Sequence, residues 1–436
     1  MSIVYALATP ASKSAICIFR VTGAGCLDHL SVLFGRSDIA PRVFSVLPFY
    51  NSCVLVDTVG VIVFNGGKSY TGEDSFEVHA HGGLGVMSLI AEAFDSMGFD
   101  EAPPGEFTKR AFLNNKIDLN EAESVLDVID STNADDVYLS SKSLSGEFSK
   151  KIHGLASDIN SLRMRVEGEI DFSDEGESFM DEKIISDLKG LVVDFELFMG
   201  GCKNKKNLSV KNKVVFVGPV NSGKSSTFNR LLGFERALIS NTPGTTRDII
   251  ESEVFYSNLS FSLFDTAGIR DTHDSVEAMG INQTKSEINN ADVVVGVFDS
   301  PLDESVDYFK ALVGDKNFIK VLNKIDLNKP KLGDFDCLIS AKTGEGFDVF
   351  KKKIVSFFDN TSSDAATFLV RDRHVVLFND SVKALKKCLV VLESGEGLEI
   401  AAEELKISRN YLDAVVGEKT SDSLLGDIFS NFCIGK

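Results

Sequence analysis

Residues 218–225 have the types and the spacing that hold the phosphates of a nucleotide. They read GPVNSGKS and fit the pattern GxxxxGKS, between an apolar run at 214–217 and a stretch that predicts a helix. The glycines let backbone N–H groups wrap a phosphate, and the start of the helix adds positive potential. Lys224 is expected to reach the β- and γ-phosphates, and the Ser225 hydroxyl suits Mg²⁺. The candidate contacts in this loop are Asn221, Ser222, Gly223, Lys224, Ser225 and Ser226.

Two further segments are expected to meet the γ-phosphate and the magnesium ion. Asp265 ends an apolar run, so its carboxylate can hold the Mg²⁺ shell through water, and Gly268 can direct its N–H at the γ-phosphate. In the loop rich in turn formers, Thr246 is the residue expected to join Ser225 on Mg²⁺. The candidate contacts in these segments are Ser240, Asn241, Thr242, Pro243, Gly244, Thr245, Thr246, Asp265, Thr266, Ala267 and Gly268.

Two more segments, 323–326 and 340–342, are expected to read the base. Asp326 can accept hydrogen bonds from guanine N1–H and the exocyclic amine, a donor pattern that adenine lacks. Lys324 can lie along the base plane, and Asn323 can brace the loop. The segment 340–342 offers a backbone N–H to the guanine oxygen. The candidate contacts are Asn323, Lys324, Asp326, Ser340, Ala341 and Lys342, and the whole order predicts GTP.

Hydrolysis cannot follow the Ras pattern, because Ile269 stands where Ras-type switches have the glutamine that positions water. No arginine finger is evident, so something fixed must neutralise the charge that develops between the β- and γ-phosphates. The amide oxygen of Asn221, with carbonyls of the 240–245 loop, makes a cage for a monovalent cation. The candidate ligands are Asn221, Ser240, Thr242 and Thr245 for this cation, and Ser225 and Thr246 for Mg²⁺.

Composition limits the partners and the compartment. The chain has 436 residues and a net charge of −19, so its surface repels nucleic acid and anionic membranes. An RNA substrate would need a local basic patch or a partner that carries it. The seven cysteines are scattered without a CxxC pair, as in a reducing cytosol. No signal peptide and no apolar run of about 18 residues is evident, so we expect a cytoplasmic protein without membrane association.

The pattern of predicted strands and helices along the chain indicates a multidomain protein. Residues 1–118 indicate an α/β domain, and 119–208 an all-α helical domain, in which Leu119, Ala122, Leu126, Ile129 and Asn133 recur at helical spacing. Residues 209–360 alternate strand and helix, which predicts a parallel sheet and an inserted α/β P-loop GTPase domain. Residues 361–436 return to helix and end in the letters CIGK. Polar linkers are expected at 201–213 and 359–367.

Several stretches outside the nucleotide motifs carry a resemblance to a known family. They are YTGED with Glu77 and HGG at 70–83, PGEFTKRAFLN at 104–114, KIDL at 116–119, EIDF at 169–172 and CIGK at 433–436. The chain resembles the tRNA uridine-modification GTPase family, called MnmE or TrmE, over essentially its whole length. Ser173 and Val220 depart from the family pattern, where prolines are expected, but neither position supplies a side chain to the chemistry.

The resemblance implies an activity and its partners. With a flavoprotein of the MnmG or GidA type, in a heterotetramer, the protein would add an aminomethyl-type group at C5 of the wobble uridine of certain tRNAs. It would be activated by potassium, form a homodimer through its N-terminal domain, and pair its GTPase domains during turnover. A tetrahydrofolate derivative, 5-formyl or methylene, would contact Arg20, Glu77, Lys116 and Lys436.

The candidate catalytic residues come from three places. Glu277 matches the catalytic glutamate of the family and is expected to act on the attacking water through a bridging water. Cys433 lies in a short apolar tail that cannot build its own core, which suggests that the tail binds in a site, although a buried structural thiol is the alternative. The candidate catalytic residues are Glu277, Lys224 and Cys433.

Two other functions fit part of the sequence. A ribosome-assembly GTPase would bind RNA without modification chemistry, but such proteins carry a basic RNA module, and only short basic clusters occur near 203–213 and at 371–373. A scaffold that binds GTP without turnover is disfavoured by the intact Lys224, Ser225 and Thr246. His79 and His81 form an HxH whose side chains share a strand face; without a third ligand, packing is the better interpretation.

Overall fold

The structure is a computed structural model that carries side chains. It describes residues 2–131, 134–172, 183–204, 212–233, 250–256, 259–265, 286–301, 305–327, 334–358, 366–394, 397–418 and 421–436. The chain divides into two compact units. One consists of Met1–Ile129, Ser140–Gly200 and Arg373–Lys436, and the other of Asp130–Leu139 and Gly201–Asp372.

The N-terminal part of the first unit is a six-stranded sheet with short helices. Its strands are β1 (Val4–Leu7), β2 (Ile16–Thr22), β3 (Ser45–Asn51), β4 (Val54–Phe64), β5 (Ser75–His81) and β6 (Asp100–Glu101), in the order β3-β4-β5-β2-β1-β6. The helices are α1 (Leu30–Phe34), α2 (Leu84–Ser96) and α3 (Glu106–Leu113). Neighbouring strands are antiparallel except β1 and β6.

Strand alternation gives this sheet one apolar and one polar face. Cys17, Phe19 and Val21 of β2 point into a core that also contains the buried stripe of α2, which includes Ile90 and Phe94. Successive side chains of a strand point to opposite faces, so Arg20 lies on the other side of the sheet. The face that carries Arg20 is therefore the one on which the residues assigned to chemistry lie.

The helical part of the first unit is built from both flanks of the second unit. Its helices are α4 (Leu119–Asp130), α6 (Glu147–Phe172) and α7 (Lys183–Gly200), and, from the C-terminal flank, α11 (Asp372–Ser394), α12 (Leu398–Val416) and α13 (Asp422–Phe429). The intervening helix α5 (Ala134–Leu144) is divided between the units, with its residues up to Leu139 in the second. The predicted spacing holds for Leu119, Ala122 and Leu126, which are buried with residues of α13. Ile129 is 43% exposed, and Asn133 lies outside the described residues.

The second unit contains a six-stranded sheet with covering helices. Its strands are β8 (Asn212–Val217), β9 (Ile250–Tyr256), β10 (Leu259–Asp265), β11 (Val293–Phe298), β12 (Asn317–Leu322) and β13 (Cys337–Leu338), in the order β13-β12-β11-β8-β10-β9. The helices are α8 (Lys224–Gly233), α9 (Ser305–Val313) and α10 (Phe347–Ser356). All five β11 side chains, and Val214 to Val217 in β8, are fully buried, as expected for central parallel strands.

Two details differ from the sequence prediction. The sheet is not wholly parallel, because β9 runs antiparallel to β10. The predicted linker at 201–213 does not lack structure, because it contains β7 (Cys202–Asn204), which pairs in parallel with β14 (Phe368–Val370). β14 begins directly after the second predicted linker, 359–367, most of which lies outside the described residues. Strands of three residues have no period to detect, and each of these two pairs with a strand far away in the chain.

The fold class is otherwise confirmed: an α/β N-terminal domain, a helical domain, and an α/β domain inserted between its two halves. The exact domain limits at 118, 208 and 360 stay predictions. Within the part of the chain that the structure describes, no helix is both long enough and apolar enough to cross a membrane.

Candidate functional site

The phosphate loop lies where the sequence places it, between β8 and α8. The Lys224 side chain is buried, and its Nζ donates to the carbonyls of Gly218 at 2.9 Å and Pro219 at 2.8 Å. The ammonium is therefore held against the loop that would wrap a phosphate. The Ser222 hydroxyl is fully buried and has no hydrogen-bond partner among the described residues, whereas Ser225 and Ser226 are exposed. This donor set suits a phosphate and its magnesium ion.

Glycine is required at two positions of this loop by close backbone approach. Gly218 has a φ of +143°, and a Cβ there would lie 2.2 Å from the carbonyl oxygen of Val297. Gly223 has a φ of +92°, and a Cβ there would lie 2.2 Å from Nδ2 of Asn323. Any side chain at Gly223 would thus displace the residue that links the loop to the rest of the site.

Asn323 is the link between the phosphate loop and the guanine segments. Its side chain is 3% exposed; its Nδ2 donates to the Ser222 carbonyl at 3.0 Å, and its Oδ1 accepts from the Ala341 N–H at 2.9 Å. Its own N–H donates to the Phe298 carbonyl at the end of β11. Three segments that are distant in sequence are therefore fixed by one buried amide.

The side chains of Asp326 and Lys324 lie at the surface of the same site, and each is held by hydrogen bonds. The Ser340 hydroxyl donates to Oδ1 of Asp326 at 2.7 Å, which fixes the carboxylate. Asp326 is exposed, so a guanine base would itself cover the carboxylate. Lys324 donates to the Asn221 carbonyl and to Oδ2 of Asp299, both at 2.7 Å.

Much of the predicted γ-phosphate region lies outside the described residues. This applies to the loop 240–246, to 266–268 and to Glu277. At the edge of that region, β10 ends at Asp265, which lies opposite Phe216 in the parallel register with β8. The backbone thus carries Asp265 to the edge of the sheet at which the phosphate loop begins.

A second cluster lies on the polar face of the N-terminal sheet. Arg20 and Glu77 are directly opposite each other in β2 and β5, and Nε of Arg20 is 3.0 Å from Oε1 of Glu77. Arg20 also donates to the Gly435 carbonyl at 3.2 Å. Burial, followed by the positive charge of Arg20, lowers the pKa of Lys436. Three of the four residues that the resemblance assigns to folate are therefore brought together.

The fourth residue and the neighbouring histidines have other contacts. In the described contacts Lys116 donates to the Gly67 carbonyl at 2.8 Å and does not touch the Arg20–Glu77 pair. His79 contacts Glu77 and the ring of Phe44, so packing accounts for it. His81 is mostly exposed and pairs with Asp57, so the prediction that it packs is wrong. No group of three metal-binding side chains occurs among the residues described.

The C-terminal tail is bound to the first unit. Phe432 is buried with α4 and α13, and burying such a side chain contributes about 2–3 kcal/mol, which opposes fraying. The Lys436 carbonyl accepts from the Phe107 N–H at 3.1 Å, and Gly435 lies against Ala8. Between these contacts the Cys433 thiol is exposed. A buried structural thiol, the alternative interpretation, does not describe it.

Comparison with known proteins decides the family. A family model described as the MnmE helical domain matches residues 119–433, and one described as the GTP-binding protein TrmE N-terminus matches residues 3–116. The tRNA modification GTPase MnmE of Francisella tularensis subsp. holarctica (strain LVS) is 36% identical over 446 residues, which cover 99% of each chain. The chain belongs to the MnmE family of tRNA modification GTPases. MnmE of Francisella philomiragia shows the same identity and coverage.

Solved structures add a weaker likeness. The G domain of the T. maritima FeoB iron transporter is 27% identical, covers 34% of this chain and 98% of that chain, and has a TM-score of 0.28. A TM-score this low carries no argument about function. Membership in the MnmE family confirms the expected class of enzyme, a GTPase of tRNA modification.

Two of the MnmE-like stretches, 70–74 and 104–114, are joined to each other by hydrogen bonds. Arg110 is 2% exposed and donates to Glu73 at 2.9 Å and to Glu106 at 2.8 Å. Asn114 donates to the Thr71 carbonyl at 2.7 Å. The stretches at 70–74 and 104–114 therefore pack against each other and hold the loop after β4 in place.

Two residues at the nucleotide site were missed from the sequence. Asp299 pairs with Lys324, and its only signal is its place one residue after the end of β11. Arg230 on α8 donates to the carbonyls of the guanine segment. Its targets are backbone oxygens, which no side-chain motif reveals.

Proposed function

We propose that this protein hydrolyses GTP in a potassium-stimulated cycle and, with a flavoprotein partner, modifies C5 of the wobble uridine in certain tRNAs. Membership in the MnmE family supports the reaction class. The observation that carries the nucleotide assignment is the buried Asn323, which joins the phosphate loop to the guanine segment. The product would carry an aminomethyl or carboxymethylaminomethyl group.

The described residues can bind and orient the nucleotide. Lys224 already lies against the phosphate loop, where its Nζ donates to two loop carbonyls. On binding of GTP, its ammonium would leave these carbonyls and contact the β- and γ-phosphates. Asp326, fixed by Ser340, would accept from the guanine edge. Ser225 and Thr246 would hold Mg²⁺, which when bound neutralises charge on the phosphate oxygens.

The monovalent cation site is proposed at Asn221. The backbone carbonyl of Asn221 accepts a hydrogen bond from Lys324, and the backbone of Asn221 has a φ of 63°. The Asn221 side chain is exposed, so its amide oxygen can bind a ligand. Ser240, Thr242 and Thr245 would complete the set with oxygen atoms. The chemistry supplied there is charge neutralisation between the β- and γ-phosphates, in place of an arginine finger.

Glu277 is proposed to orient the attacking water through a second water. Glu277→Ala should bind GTP normally and lose most hydrolysis, whereas the nearby acid Asp271, changed to Asn, should leave the rate unchanged. Turnover should be much faster in K⁺ than in Na⁺, and Asn221→Ala should remove that difference. Equal rates in the two salts would reject the cation site, and a fully active Glu277→Ala would reject the glutamate.

The polar face of the N-terminal sheet is proposed to bind a tetrahydrofolate derivative, 5-formyl or methylene. Arg20 and Lys436 provide cations for its carboxylate tail, and Glu77 provides an acceptor for pterin donors. Lys116 is proposed as a further contact, for which its ammonium would leave the Gly67 carbonyl that it bonds in this structure. Cys433 is exposed and lies three residues before Lys436 in the sequence. Its thiol is proposed to serve the modification step.

The proposed assembly is a homodimer that joins a flavoprotein of the MnmG or GidA type as a heterotetramer. The net charge of −19 disfavours direct binding of RNA, so tRNA would be held mostly by the partner. Mass spectrometry of wobble uridines in tRNA from cells depleted of this protein tests the function. The proposal is supported if re-expressed wild type restores the C5 group and re-expressed Lys224→Ala does not. Normal uridines together with defective ribosomes would indicate a ribosome-assembly GTPase instead.

A further inference from the structure

Arg230 ties the helix of the phosphate loop to the guanine segment. It lies in the second turn of α8, and its Nη1 donates to two consecutive carbonyls, Ala341 at 3.0 Å and Lys342 at 2.7 Å. The guanidinium also lies over the Phe347 ring, with Cζ 5.9 Å from the ring centroid. A charged donor gives stronger hydrogen bonds than a neutral one, so this contact fixes the position of the segment.

The segment at 340–344 is a tight turn that has both internal hydrogen bonds and hydrogen bonds to other segments. Its own bonds are local: the Gly344 N–H donates to the Ser340 carbonyl at 2.8 Å, and the Thr343 N–H to Oγ of Ser340 at 3.1 Å. Asn323 holds it through the Ala341 N–H. Arg230 holds it through the carbonyls of the same turn, so the turn is supported by two separate elements.

The close fit of the guanidinium is specific to this geometry. Gly344 has a φ of +91°, and a Cβ at that position would lie 2.5 Å from Nη2 of Arg230. The guanidinium therefore occupies space that a side chain at this position would share, and the positive φ itself favours glycine there. Neither residue belongs to the nucleotide motifs at 218–225 and 323–326.

We propose that Arg230 is a positioning residue that sets the base end of the nucleotide site relative to its phosphate end. The helix that starts at Lys224 binds phosphate at its first turn, and in its second turn it fixes the turn whose Ala341 N–H would meet the guanine oxygen. This inference rests on the proposed guanine site, and it assigns to this chain a contact between α8 and the base-reading turn.

The test compares GDP, IDP and pyrophosphate on full-length wild type, Arg230→Met and Arg230→Lys, by calorimetry or competition. Arg230→Met keeps the packing on Phe347 but removes both hydrogen bonds, so affinity for GDP should fall about tenfold. Affinity for IDP should fall by the same factor, because IDP keeps the oxygen that faces Ala341. Pyrophosphate affinity should not change, because the phosphate loop is intact.

Arg230→Lys keeps the charge and one flexible donor, so its loss should be smaller than that of Arg230→Met. The matched control is Asn229→Ala, an exposed neighbour on α8, which should bind all three ligands as wild type does. A role in fold stability alone would lower the melting temperature and leave these ratios unchanged. If Arg230→Met does not fold, Arg230→Lys alone decides.

Three results separate the possible failures. Unchanged GDP affinity in a folded Arg230 variant overturns the positioning role and leaves the guanine site standing. A parallel loss of pyrophosphate and GDP also overturns it, because the damage then lies in the phosphate loop. Wild type that does not prefer GDP to ADP overturns the guanine site itself.

Discussion

Replacing Asn323 with alanine should weaken GDP binding by about 30-fold. Asn323 is 3% exposed and makes hydrogen bonds of 3.0 Å to the Ser222 carbonyl and 2.9 Å from the Ala341 N–H. A typical intramolecular hydrogen bond contributes about 1 kcal/mol net, so losing both removes about 2 kcal/mol from the binding-competent arrangement. The phosphate loop and the base-reading turn then lose their common support.

The assay is calorimetric titration of GDP at 25 °C, together with the melting temperature of the ligand-free protein. Asn317→Ala is the matched control, because it removes an exposed asparagine with one bond of 3.2 Å to the Asp292 carbonyl. We expect the control to bind GDP within about twofold of wild type. If a folded Asn323→Ala binds GDP as wild type does, the bond network does not position the site and the reasoning fails.

Further outcomes follow from the first unit and from the charge. Burial alone would raise the pKa of Glu123, but the His374 imidazole 3.5 Å away and the charge of Arg373, which donates two hydrogen bonds to it, hold that pKa well below the usual range. The stability that Glu123 adds should therefore be present above about pH 4.3 and lost as pH falls below it, so the difference in unfolding free energy between wild type and Glu123→Gln should shrink in acid denaturation series; a pH-independent difference contradicts this. Cys433→Ser should keep GTP hydrolysis and impair tRNA modification, with the exposed Cys53→Ser as control; normal modification would remove the claim. Binding of tRNA to the isolated protein should be weak and should fall steeply with salt in filter-binding assays, and tight, salt-insensitive binding would contradict the role of the partner.

The order of elements in the nucleotide domain could be predicted because each strand is a buried apolar run followed by a polar motif. Val214 to Val217 are all fully buried and lead into the phosphate loop. β9 was not predicted because it is an antiparallel strand whose sequence shows no strong alternation. β7 and β14 were not predicted because each has only three residues and depends on a partner that the sequence does not indicate.

The residues that would contact the nucleotide could be predicted, because motif spacing identifies them. The residues that hold those residues in place could not be predicted, because their contacts join segments that are distant in the sequence. Lys224 and Asp326 follow from motif spacing. The pairing of Lys324 with Asp299, and of Arg230 with the Ala341 and Lys342 carbonyls, requires elements that meet only in the folded domain. The same limit applies to the N-terminal cluster, where the resemblance suggested Arg20 and Lys436, but the sheet register places Arg20 opposite Glu77.

The base specificity of Asp326 tests the central claim, a guanine nucleotide site, most directly. Asp326 is held by the Ser340 hydroxyl, which donates to its Oδ1 at 2.7 Å, so Oδ2 can accept from the guanine edge. Wild type should bind GDP far more tightly than ADP or xanthosine diphosphate in calorimetric titrations. Asp326→Asn inverts the hydrogen-bonding pattern, so it should lose GDP affinity and gain affinity for xanthosine diphosphate. Wild type that binds ADP as tightly as GDP, or a variant whose preference does not change, would contradict the account.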